Sequence, residues 1–206
     1  VEEQPTGEVS AGAGVGTSGG NFIIGVKENN WLGEGKSVAF NLEVDEESIR
    51  GLLNYTDPNY DFLGNSLSYR LKSEKNDKPD QGYENSVVSA GIGTAFEQYK
   101  DVVASLGLDL SYDDLRTNIS ASSSLKKQAG TFNEFSGNYG FSYDQRNRAF
   151  MPTSGSIVSF GQSIPIYADK SSVSSTFTAS KYKSLNDNIV GAVSYTHLRS
   201  HETCVH

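Results

Sequence analysis

Alternation with a period of two runs through nearly all of this chain, and no other feature narrows the possible folds so far. In DVVASLGLDLSYDD (101–114) the even positions are Val102, Ala104, Leu106, Leu108, Leu110 and Tyr112. The odd positions after Val103 are Ser105, Gly107, Asp109 and Ser111. Successive side chains of an extended strand project to opposite faces, so the segment has one apolar and one polar side. KSVAFNLEVD sets Val38, Phe40, Leu42 and Val44 against Ser37, Ala39, Asn41 and Glu43. NSVVSAGIGTAFEQY sets Val88, Ala90, Ile92 and Phe96 against Ser89, Gly91, Gly93 and Glu97. EFSGNYGFSYDQ does the same with Phe135, Tyr139, Phe141 and Tyr143. No window sustains a helical period, so the spacing predicts an all-β fold of about eleven strands, each of roughly 9–13 residues.

The apolar faces must meet either a protein core or lipid. Strands of a soluble sandwich are typically shorter and pack one dense face. Here the apolar faces are rich in Ala and Tyr, and the opposite faces in Gly, Ser, Asn and Asp. That pairing predicts an antiparallel up-and-down transmembrane β-barrel, with a lipid belt outside and a polar lumen inside. No apolar run reaches the roughly 18 residues of a membrane helix, a test that strands do not have to pass. The net charge of -8 argues against nucleic acid as a partner, because phosphate binding needs clustered Lys and Arg. An odd strand count predicts a partial barrel whose sheet continues beyond this segment.

Loop lengths add an orientation. TSGG, VDEES, SEKNDKPDQGYE, DDLRTNISASSSLKKQAGT and YADKSS fall on one side, and hold the two longest and most polar connections. NNWLGEG, TDPNYDFLG, EQYKD, DQRNRAFMPTSG and SLNDN fall on the other.

Both ends read as cut, with no Met or signal-like segment at Val1. VSYTHLRSHETCVH (193–206) gathers all three His and the single Cys, and resembles adapter read-through, so residues 193–206 are expected to be a non-native tail. Its His197 and His201, with Glu202, Cys204 and His206, could hold zinc only on a helix. No metal, cofactor or catalytic residue is therefore assigned, and the chain is expected not to be an enzyme. GVGTSG (14–19) matches a dinucleotide fingerprint, but a strand-like NFIIGVKENN follows where a helix is needed. NWLGEGKS (30–37) misses the phosphate-loop pattern at Asn30 and again precedes a strand. Gly33 and Gly35 are expected to supply positive φ in a turn. Asp45, Glu46 and Glu47 read as a solvated turn rather than a cation site.

Four motifs, in order, resemble the bacterial surface antigen family, the BamA-type outer-membrane barrel-assembly proteins with POTRA domains. VEEQPTGEVSAGAGVGTSGG looks like the junction between the last POTRA domain and the first barrel strand. NNWLGEG (Asn30, Trp31, Leu32, Gly33, Gly35) is similar to the first periplasmic turn. YTDPNYDFLG (Asp57, Pro58) is similar to the second, and RAFMPTSGS (Phe150, Pro152, Thr153, Gly155) to the turn before the ninth strand. The resemblance implies residues 1–6 as the end of a POTRA domain, and 7–192 as about 11 strands of an expected 16. It implies insertion of client β-barrel proteins into the bacterial outer membrane without covalent chemistry. Outer-membrane lipids and accessory assembly lipoproteins would be the other partners. It also implies a lateral gate at the first strand. There Val9, Ala11, Ala13 and Val15 would face lipid, and Ser10, Gly12, Gly14 and Gly16 the other side. The Arg-Gly-Phe/Tyr loop signature of the family would lie beyond the last strand. A passive porin, or a related two-partner secretion or translocation barrel, shares the alternation and is the alternative.

Overall fold

The computed structural model describes residues 6–16, 19–169, 172–186 and 189–202. Eleven strands form one sheet in strict chain order, every neighbouring pair antiparallel. They are β1 (Gly7–Gly16), β2 (Gly19–Trp31), β3 (Lys36–Asp45), β4 (Ser48–Asp57), β5 (Ser66–Lys78) and β6 (Tyr83–Tyr99). β7 (Val102–Thr117), β8 (Gly130–Asp144), β9 (Ser154–Ala168), β10 (Ser172–Asn186) and β11 (Ile189–Glu202) complete it. One short helix, α1 (Ser123–Gln128), interrupts the β7–β8 connection, capped by the Ser122 hydroxyl accepting from the Leu125 amide.

Register makes the sheet two-faced. Directly opposed residues share a face, and one row runs Val9, Val26, Phe40, Leu53, Leu71, Ala90, Leu110, Phe135 and Tyr167 across nine strands. The adjacent row runs Ser10, Gly25, Asn41, Leu52, Lys72, Ser89, Ser111, Glu134 and Ala168. The apolar row begins near the start of β1 and ends near the end of β9. It therefore climbs from one rim to the other, the stagger of strands tilted in a barrel wall.

There is no protein core. Among the described residues the buried apolar side chains are Ala104 and Ala121, while Leu106, Leu108, Leu110 and Phe141 are exposed. A water-soluble domain of this size could not leave such an unbroken apolar face in solvent. The sandwich reading fails on that point.

The strands from β6 to β11 run 14–17 residues, longer than the 9–13 expected. Alternation stops where lipid stops, but backbone pairing continues above it with both faces polar. SEKNDKPDQGYE, read as a loop, is thus mostly ladder: β5 reaches Lys78, β6 resumes at Tyr83, and Pro79–Gly82 alone make the turn. DDLRTNISASSSLKKQAGT likewise contributes its first five residues to β7 and its last two to β8. Nor does the composition break at Val193 break the sheet, since β11 pairs with β10 as far as Glu202. It changes the outward face instead, putting His197 and Arg199 where neighbouring strands carry Phe177 and Ser175.

Candidate functional site

β1 is one edge of the described sheet, as β11 is the other. Among the described residues it bonds on one side, to β2, through a continuous register from Gly7–Glu28 to Gly16–Gly19. Val9, Ala11, Ala13 and Val15 oppose Val26, Ile24, Phe22 and Gly20, which places all four on the apolar outer face. Val9 and Val15 are 76% and 91% exposed. Ser10, Gly12 and Gly14 lie on the inner face, and the Ser10 hydroxyl donates to the Gly25 carbonyl at 3.4 Å. The foot is tied more firmly, with the Asn29 amide and side chain both donating to the Thr6 carbonyl, at 3.1 and 3.3 Å. Gly12 is not required by crowding, because a Cβ there would meet nothing within 4 Å. At Gly14 it would meet the Asn21 Oδ1 at 2.6 Å, the mobile end of a side chain. In the GVGTSG motif Gly14–Gly16 end β1 and Gly19 opens β2, an antiparallel pair where the fingerprint needs a helix; Thr17 and Ser18 lie outside the described residues.

The named turn residues are structural. Asn30 and Trp31 end β2, and Leu32–Gly35 form the turn, with φ of 56° at Leu32, 76° at Gly33 and 70° at Gly35. Asn30 closes it twice: its carbonyl accepts from the Gly33 amide at 2.9 Å, its Oδ1 from the Gly35 amide at 2.7 Å. Asp57 ends β4 and accepts from the Asn59 amide at 3.1 Å, so Pro58 enters an Asx turn. Asp61 then gathers the Leu63 and Asn65 amides and the Asn65 side chain, at 2.9, 3.1 and 2.7 Å. These bonds, the Asn65 amide first, hold its carboxyl below the usual aspartate range. In the fourth turn Asn147 bridges to the Thr153 hydroxyl and accepts the Thr153 and Ser154 amides, at 2.8, 3.0 and 3.2 Å. Phe150 and Met151 stand exposed at its tip, before Pro152. A fork from Arg146 to the Asp144 carboxylate, at 2.9 and 2.6 Å, stiffens the base.

The concave inner face encloses a hollow of about 690 Å³, walled mainly by small and polar side chains such as Ser68, Gly93, Ser105, Gly107 and Thr176. Arg70 donates to Asp109 at 3.2 Å, and Asn138 donates to the other Asp109 oxygen. Arg50 spans Glu43 and Glu74, at 3.2 and 3.3 Å, and Lys72 joins Glu74 at 2.7 Å. Pattern reading placed Glu43 and Asp109 on polar faces and left Glu74 in a loop; it could not name their partners, because residues so far apart in sequence meet through register.

No metal-binding cluster occurs among the described residues. Asp45 accepts from the Glu47 amide and Ser48 hydroxyl, and Glu47 pairs with Lys78, so that acidic turn is internally satisfied. His197 and His201 lie on a strand, not on the helix that their spacing would need to hold zinc.

An eleven-stranded tilted sheet with a lipid-facing exterior and a polar concave interior defines a piece of an outer-membrane β-barrel. Residues 30–201 match the Omp85 superfamily domain, and the chain belongs to that superfamily. It is 29% identical over 112 residues to the outer membrane protein assembly factor BamA of Neisseria meningitidis serogroup B, covering 54% of this chain and 13% of that protein. A crystal structure of BamA from Haemophilus ducreyi lacking POTRA domains 1–3 superposes with a TM-score of 0.77 at 23% identity. That match covers 98% of this chain and 42% of the other, and it establishes the shared barrel wall. The chain therefore spans less than half of either relative.

Proposed function

We propose that this segment is the leading wall of an outer-membrane assembly barrel, in which β1 is the strand that opens to receive client β-strands. The observation that carries the proposal is the make-up of β1. Apart from Glu8 its side chains are Val, Ala, Ser and Gly; a Cβ at Gly12 would meet nothing within 4 Å, and one at Gly14 would have to displace only the end of the Asn21 side chain. Glycine in a strand adds entropy cost and removes packing, so a wall selected only for strength would not concentrate it there. An edge that releases readily can offer its backbone donors and acceptors to an incoming strand.

The outer belt supports the same reading. β7 presents six consecutive outward residues without charge, Val102 to Tyr112, before Asp114. β2 presents four, Gly20, Phe22, Ile24 and Val26, before Glu28 takes the next outward place. A shorter uncharged band beside β1 would thin the adjacent bilayer and ease insertion. The work is non-covalent and needs no cofactor. POTRA domains, client barrels and accessory lipoproteins are the partners this role requires.

In the complete protein, Gly12→Val with Gly14→Val should strengthen the β1 seam and slow client insertion several-fold. Cysteines placed from Val9 to Val15 should cross-link to the terminal strand of a stalled client. Unchanged insertion and no cross-link from any position would leave β1 as ordinary wall, as in a passive pore.

A further inference from the structure

We infer that the outer face of β8, β9 and β10 is a contact surface for a second copy of this barrel, with the two Gln162 carboxamides paired at a two-fold axis. Tyr139 on β8, Gln162 on β9 and Ser175 on β10 are directly opposed and share one face. That face is the outer one, because Tyr139 also opposes Leu106 in the uncharged outward column of β7. Gln162 stands at the middle of the belt. On β9 Val158 and Phe160 lie outward on its short-turn side, and Ile164 and Ile166 on the other. A carboxamide in hydrocarbon is costly unless its donors and acceptors are engaged. The Tyr139 hydroxyl donates to Gln162 Oε1 at 2.6 Å, and Gln162 Nε2 donates to the Ser175 hydroxyl oxygen at 2.8 Å. Among the described residues these are its side-chain bonds, so one N–H and one oxygen lone pair are left to spend.

A second copy is the occupant that fits. Whatever meets Gln162 must offer an acceptor and a donor together, at one depth in the membrane. Acyl chains have neither, and bulk water does not reach the middle of the belt. Copies related by a two-fold axis along the membrane normal keep every residue at its own depth, so Gln162 meets Gln162. Each Nε2 then donates to the other copy's Oε1, the reciprocal contact that a two-fold interface requires. Polar side chains paired in this way hold membrane-spanning elements together. The surroundings are apolar and uneven. A hollow of about 600 Å³ on the outer face is lined by Leu106, Leu108, Gly137, Tyr139, Ile164 and Ile166. Phe177 projects outward on the other side of Gln162, on β10. A two-fold at Gln162 therefore turns each copy's Phe177 towards the side of the other that carries the hollow. Arg199, opposite Ser175 on β11, belongs to the segment expected to be non-native and is left out of the surface.

The test is disulfide cross-linking of the complete protein in phospholipid vesicles, in a background free of other cysteines. Phe160→Cys and Ile164→Cys lie beside the axis, Leu71→Cys on the outer face of β5, and Ser163→Cys on the lumen side. Copper–phenanthroline oxidation should give a product of twice the barrel's mass from positions 160 and 164, several-fold above positions 71 and 163. Gln162→Leu combined with Ile164→Cys should lower that yield to the level of position 71. Heat-modifiable gel migration reports folding, and the pattern of cysteine positions alone decides if Gln162→Leu does not fold. Equal yields at 71 and 164 would mean random collision and overturn the inference, as would a yield that survives Gln162→Leu. A product of any other mass would also overturn it, and assign the face to a different protein.

Discussion

Gly155 shows how much a single backbone position can decide. Its φ is +98°, and a Cβ there would collide with the Gln145 carbonyl oxygen across the turn that starts β9. Gly155→Ala should destabilise the complete barrel by about 1–3 kcal/mol, read as a lower denaturant midpoint in bilayers. The sequence pointed to this glycine through the turn motif. The alternation placed Tyr139 on the apolar face but gave no sign of its bonding: its hydroxyl donates to Gln162 Oε1 at 2.6 Å while Gln162 donates to Ser175 at 2.8 Å. All three lie on the outer face of β8, β9 and β10, so they bond to one another within the apolar belt. Tyr139→Phe leaves the Gln162 oxygen without its donor and should cost about 1–2 kcal/mol by the same assay. A control, Tyr143→Phe, removes a hydroxyl at the turn end of β8 and should cost less.

At the scale of a strand, period-two patterning predicted about eleven strands and assigned the faces of those that became β3, β6, β7 and β8. Leu106→Arg should cost about 2–4 kcal/mol in unfolding measurements on the complete protein, because a charge then enters hydrocarbon. Asp109 lies nearby on the lumen side. Its contacts with Arg70 and Asn138 make it a poor control, since an arginine there would face Arg70 and strand Asn138. Ser105 is exposed on the same inner face, and Ser105→Arg should cost well under 1 kcal/mol. Equal penalties at 105 and 106 would overturn the face assignment. Strand ends were less legible, for two reasons. Above the lipid both faces of a hairpin are solvated, so pairing persists after alternation fades. Bulges add one residue to one strand, and their cause is the pairing partner rather than the local sequence.

At the scale of the whole molecule, the β3–β4, β5–β6 and β7–β8 connections gather at one rim, and the β2–β3, β4–β5, β6–β7 and β8–β9 turns at the other. The Asn118 amide donates to the Gly82 carbonyl at 2.9 Å, joining the β5–β6 turn to the β7–β8 loop as one surface. Epitope tags at Asp80 and Ser123 should be labelled on intact cells, and a tag at Glu34 should not. Asp80 lies in the turn, beyond Lys78, which ends β5 and pairs with Glu47. The reverse labelling would invert the barrel and remove the reason for reading Val1–Thr6 as a POTRA junction. By itself the sequence determined the all-β class, the two faces of its clearly alternating strands and the turn residues, because these follow from side-chain spacing and local backbone chemistry. Only the tertiary structure decided the stagger of the sheet and the joining of Arg70 to Asp109 and of Tyr139 to Gln162. Each of these depends on register, which is a relation between strands and is written in neither strand alone.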